Sequence, residues 1–68
     1  VTADMKRSLT IAGHRTSLSL EQEFWDALQA AAKARNVTVA ALVGEIDAGR
    51  GTHNLSSAIR VWLFNQRR

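Results

Sequence analysis

Polar and apolar positions alternate first and then switch to a helical period. In His14-Arg15-Thr16-Ser17-Leu18-Ser19-Leu20, an extended backbone puts Arg15, Ser17 and Ser19 on one face and Thr16, Leu18 and Leu20 on the other. One face is therefore polar along its whole length. Ser19, with Gln22 three residues on, has the spacing of a capping box, and Glu21, Glu23 and Asp26 place negative charge where a helix start favours it. The strand is predicted to end there. A lone strand leaves its backbone donors and acceptors unpaired, and nothing later in the chain reads as a second strand. Its simplest partner is a second copy of the same strand.

Upstream, Ser8-Leu9-Thr10-Ile11-Ala12-Gly13 alternates over a short span before Gly13 interrupts it, with Lys6 and Arg7 ahead of it. An extended arm, a bulged continuation of the main strand and a flexible basic arm all fit, and the extended arm is favoured. Residues 1–5 are expected to be a disordered end and residues 6–68 the folded domain.

Three helices are predicted downstream, at about 20–35, 38–48 and 54–66. In the first, Leu20, Phe24, Leu28 and Ala31 recur at three- and four-residue spacing, flanked by Trp25 and Ala32. Asn36 is placed to end it in a left-handed conformation, with Lys33 and Arg35 suiting the helix dipole. Thr38 can cap the second, whose apolar face is Val39, Leu42, Val43 and Ile46. Gly44 within it is read as a close approach of another backbone. Asn54 can cap the third, with Leu55, Ala58, Ile59, Trp62 and Leu63 as its stripe. No repeat or linker divides the chain, and Gly49-Arg50-Gly51-Thr52-His53 is its most flexible loop.

Size and charge sharpen this picture. A chain of 68 residues buries only about 60% of its unfolded surface, so association with a second chain would help it. It has no cysteine, and His14 and His53 have no acidic or thiol neighbour at ligand spacing, so neither metal nor cofactor is expected. A net charge of +3 favours a polyanionic partner. No apolar run is long enough to span a membrane and no secretory leader is evident, so a cytoplasmic location is the default expectation. Enzymatic chemistry has no support: Glu21 and Glu23 point apart, no Ser, His and acid group together, and no glycine-rich loop could cradle a nucleotide. Trp25 and Trp62 accompany apolar stripes and are read as core or interface residues rather than base-stacking platforms. Arg67 and Arg68 are read as a solvated end.

The order of elements resembles the ribbon-helix-helix repressors, the superfamily of the Arc and methionine repressors. The resemblance rests on the alternating strand, the helix capped straight out of it, the turn at Asn36-Val37 and the second helix opening Thr38-Val39-Ala40-Ala41. Arg15-Thr16-Ser17-Leu18-Ser19-Leu20-Glu21, Phe24-Trp25, Glu45-Ile46-Asp47, Arg50-Gly51-Thr52-His53-Asn54-Leu55-Ser56-Ser57-Ala58 and Arg60-Val61 are similar to a compact bacterial subfamily of such domains. The resemblance implies a mainly α fold and an intertwined homodimer, with one N-terminal strand from each chain forming an intermolecular antiparallel ribbon. That ribbon enters the major groove of double-stranded DNA.

By position, the resemblance implies base contacts from Arg15, Ser17 and Ser19 and a dimer core of Thr16, Leu18, Leu20, Phe24, Leu28, Val39, Leu42, Val43 and Ile46. Phosphate would meet the amides from Thr38, Val39 and Ala40 to Ala41, helped by Lys6, Arg7 and His14. The family unit ordinarily ends after two helices, so the third is a departure: it caps the dimer core or offers a second surface for assembly. The expected function is sequence-specific DNA binding in transcriptional regulation. A protein-interaction or antitoxin-like module using Leu55, Ile59, Trp62 and Leu63 is the alternative, and binding to any polyanion is a third. A polar strand face that is merely solvated remains the bland counterpart of all three.

Overall fold

The strand at 14–20 finds its partner inside its own chain. In the computed structural model, which describes residues 4–52 and 54–66, the order is β1 (Asp4–Ile11), β2 (His14–Glu21), α1 (Gln22–Ala34), α2 (Val39–Ala48) and α3 (Leu55–Gln66). The expectations for residues 1–3, His53, Arg67 and Arg68 lie outside the described residues. β1 pairs antiparallel with β2, with Met5 opposite Leu20, Leu9 opposite Thr16 and Ile11 opposite His14. This pairing corrects the extended-arm reading of residues 6–13 and the reading that no other stretch of the chain pairs with the strand at 14–20. Asp4 and Met5, placed in the disordered end by the sequence, are part of β1.

A two-residue turn makes the hairpin possible. Ala12 and Gly13 have φ of +52° and +82°, the left-handed pair that a tight hairpin turn needs to match the strand twist. Gly13 adopts this freely, whereas Ala12 does so against the clash of its Cβ. Changing Ala12 to Asn is therefore expected to stabilise the fold by about 1 kcal/mol, since asparagine tolerates this region and Asn-Gly is the favoured pair. In a domain of this size that is a rise in Tm of about 4–8 °C, measured by circular dichroism. A lower Tm would show that the turn is not the one described.

The helices cover one face of the hairpin. Ile11, Leu18 and Leu20 point into a core completed by Trp25, Leu28 and Ala32 of α1, Leu42, Val43 and Ile46 of α2, and Ala58, Ile59 and Leu63 of α3. The α1 stripe is rotated from the predicted one, so that Trp25 is buried while Phe24 and Ala31 are half-buried. The rotation lets the Trp25 indole Nε1–H donate to the Met5 carbonyl at 2.8 Å, which satisfies a polar group that burial would otherwise penalise.

The turns show how the chain changes direction. Asn36, at φ +59°, ends α1 as read from the sequence: its amide donates to Lys33 O at 3.0 Å and that of Val37 to Ala32 O at 3.0 Å, the paired bonds of a Schellman motif. Thr38 and Asn54 cap α2 and α3 by accepting from the amides of Ala41 and Ser57 at 3.0 and 2.8 Å. The capping box at Ser19 does not form. Residue 19 is still inside the strand, the N-cap position is Glu21 without a side-chain bond, and Gln22 donates to Asp26 instead. Gly44 approaches a side chain rather than a backbone: a Cβ there would lie 3.6 Å from Ile11 Cγ2, an ordinary contact.

Candidate nucleic-acid interface

Because the helices take one face of the hairpin, the other is left to solvent. On β2 it carries Arg15 and Ser17, both exposed, and Ser19, half-buried. On β1 it carries Lys6, Ser8 and Thr10, all exposed. The register sets Lys6 opposite Ser19, Ser8 opposite Ser17 and Thr10 opposite Arg15. One cation thus stands at each end of the face, on different strands, with hydroxyls between. Thr16, Leu18 and Leu20 face the helices, as the alternation predicts.

The acidic group next along this edge is taken up elsewhere. Arg60 of α3 donates to Glu21 Oε1 from Nε at 3.1 Å and Nη2 at 2.9 Å. A hydrogen bond from its own backbone amide, then the one from Arg60, hold the Glu21 carboxyl below the usual carboxylate range. Glu21 is therefore ionised and paired at neutral pH, with its charge balanced by α3. Ser56 Oγ also donates to the Ser19 carbonyl at 3.1 Å, so α3 braces the end of β2 twice.

The remaining cations named from the sequence are dispersed. Arg7 lies on the helix side of the hairpin, half-buried, its guanidinium 4.9 Å from the centre of the Trp25 ring. His14 is exposed at the tip and lines a shallow depression with Thr16, Asp47 and Arg50. At the start of α2, the Ala41 amide is taken by the Thr38 side chain and that of Leu42 by the Thr38 carbonyl. That leaves Val39 and Ala40 as the first-turn amides to consider. Lys33, read from the sequence only as a helix-dipole partner, lines a depression with Thr38 and Val39. This end of α2 is remote from the hairpin contact: Gly44, beside Ile11, is six residues on, about 9 Å along the axis. Among the described residues, the depression at the α2 start is lined by no residue of the polar strand face.

Residues expected to be buried by a second chain are largely buried by one. Leu18, Leu20, Leu28, Leu42, Val43 and Ile46 are core residues of the single chain, and Thr16, Phe24 and Val39 are half-buried. The proposed partner surface on α3 is corrected for the same reason. Ile59 and Leu63 are buried, Leu55 and Trp62 are half-buried, and the apolar side chains α3 does expose are Val61 and Phe64. Phe64 borders a groove with Phe24, Ala27 and Ala31 of α1. Sequence reading missed it because Phe64 is off the Leu55-to-Leu63 stripe.

With a two-stranded antiparallel sheet followed by helices in place, the comparison with known families is direct. A family model described as a ribbon-helix-helix domain matches residues 5–66. The chain belongs to this family. Curated proteins and solved structures gave no match. The match spans α3 as well as the strands and the first two helices. Ribbon-helix-helix domains are typically non-enzymatic modules that bind DNA as dimers and regulate transcription. Among the described residues, no helix is long and apolar enough to cross a membrane.

Proposed function

We propose that this protein is a sequence-specific DNA-binding regulator of transcription, acting in the cytoplasm, whose ribbon enters the major groove with its outer face towards the bases. The supporting observation is that face: cations at its two ends, hydroxyls between them, and the adjoining carboxylate held by Arg60. A two-stranded ribbon fits a major groove about 12 Å wide. Arg15 has the chemistry to bond guanine O6 and N7 together, while Ser17 and Ser19 can donate to or accept from several bases. The amides of Val39 and Ala40, beside Thr38 and Lys33, are suited to a backbone phosphate, and His14 at the ribbon tip to another.

The working unit in this reading is a homodimer, as is general for the family. Each chain keeps β1 on β2 in this reading. Selection from a random DNA pool tests the reading. The unaltered protein is expected to enrich a defined sequence, and Arg15→Ala to lower affinity for it by about tenfold, the low-to-middle range for one base-reading pair. Its dimer size should not change. Equal retention of all sequences would leave only charge-driven binding to polyanions, and an Arg15→Ala variant that binds like the parent would remove Arg15 from the reading surface.

A second reading is favoured by one observation, the exposure of Phe64 at 67% beside the α1–α3 groove. Such a side chain suits a protein partner. That reading is preferred if Arg15→Ala leaves DNA binding untouched while Phe64→Ser abolishes a complex with another protein.

A further inference from the structure

β2 runs on to Glu21, so the alternation of the strand gives Glu21 the same side as Arg15, Ser17 and Ser19. It stands two residues beyond Ser19, about 7 Å further along. DNA carries one phosphate charge per about 1.7 Å of its axis, and salt screens such charges only beyond a Debye length of about 8 to 10 Å. Left bare, the Glu21 carboxylate would oppose the binding that Arg15 and Lys6 favour.

The counter-ion comes from α3. Arg60 donates to Glu21 Oε1 twice, from Nε and from Nη2, across 39 residues of chain. Its guanidinium is itself held in place, with Cζ 5.6 Å from the centre of the Phe24 ring. Ser56, four residues earlier and so on the same face of α3, donates to the Ser19 carbonyl at 3.1 Å. That face of α3 is turned to the end of β2. The pairs Arg35–Glu45 and Arg50–Asp47 join helix residues and their loops to one another, whereas Arg60–Glu21 joins a helix to the ribbon.

We infer that Arg60 is a positioning residue for the DNA-binding face: by holding Glu21 in a neutral pair, it keeps that carboxylate from repelling the DNA backbone, and does not itself contact DNA. This rests on the DNA-binding reading above. It gives α3 a task besides filling the core, because loss of Arg60 uncovers a charge that the reading strand carries. A plain brace between α3 and β2, or a direct bond from Arg60 to a phosphate, would use the same side chain. Charge balance separates the three.

The test measures the affinity of Arg60→Met, Glu21→Gln and the double variant for the selected DNA at low and high salt, with folding checked by circular dichroism. Methionine keeps an unbranched stem beside Phe24 and removes the charge. Arg60→Met is expected to bind about fivefold more weakly at low salt, the effect of a single screened charge, and the loss should shrink as salt rises. Adding Glu21→Gln should restore the affinity of the parent, since the pair has no net charge in either protein. Glu21→Gln by itself should bind at least as tightly as the parent.

A double variant as weak as Arg60→Met overturns the inference. If its salt dependence is flattened by about one phosphate contact, Arg60 bonds the backbone directly. If Glu21→Gln is equally weak, the pair is a brace. Arg60→Met binding like the parent while Arg15→Ala does not also overturns the inference, and leaves the DNA-binding reading standing. An unaltered protein that binds no DNA removes that reading and this inference together. Should Arg60→Met fail to fold, Arg60→Gln takes its place, and weaker binding by Glu21→Gln than by the parent overturns the inference without either.

Discussion

Trp25→Ala is expected to leave most of the protein unfolded at room temperature. Truncating a buried tryptophan costs about 3–5 kcal/mol, and a domain of 68 residues is held by only about 3–10 kcal/mol in total. At 1% exposure the ring has no solvent-facing part to discount. The change also removes the bond from Nε1 to the Met5 carbonyl and the surface on which Arg7 stacks, both of which tie β1 to α1. Trp25→Phe should cost less because it keeps most of the buried area and loses mainly the indole N–H. Urea unfolding followed by circular dichroism separates the three proteins. A midpoint for Trp25→Ala equal to that of the parent would mean that β1 is not pinned in this way. Where part of the variant remains folded, the strand released is the one bearing Lys6, Ser8 and Thr10, so DNA binding should fall with it.

The second large effect lies on α3. Ile59→Ala should destabilise by about 2–5 kcal/mol, because its side chain is fully enclosed and truncation leaves a cavity between α3 and the rest of the core. Phe64→Ser, on the same helix but 67% exposed, should change stability by no more than about 0.5 kcal/mol. Denaturant midpoints for the pair therefore test whether α3 is structural or peripheral. Two equal, small effects would make it peripheral, contrary to the position of Ala58, Ile59 and Leu63 in the core. A large loss for Ile59→Ala alone would fit a domain whose small size is offset by a third helix that packs within the chain.

Much of this arrangement was legible because its signals are local. The two faces of β2 follow from alternation, and the starts of α2 and α3 follow from Thr38 and Asn54, whose side chains act within three residues. Asn36 was identifiable for the same reason. β1 was harder to read because its turn lacks the asparagine or aspartate that usually marks a tight hairpin, leaving Ala12 where the backbone prefers another residue. Lys6 and Arg7, adjacent in sequence, looked like one basic arm, yet pairing sends them to opposite faces. The pairing of β1 with β2 has no local signature either, because register is a property of two segments together. Ser19 misled because capping spacing records only what a side chain could reach. The bond from Ser56 and the Arg60–Glu21 pair join residues more than thirty positions apart, with no local signature.

A ribbon shared by two identical chains receives every codon change twice, once in each strand. With both strands of this hairpin encoded in one chain, each can change by itself. A substitution in β1 or in β2 therefore alters one strand of the hairpin and leaves the other as it was.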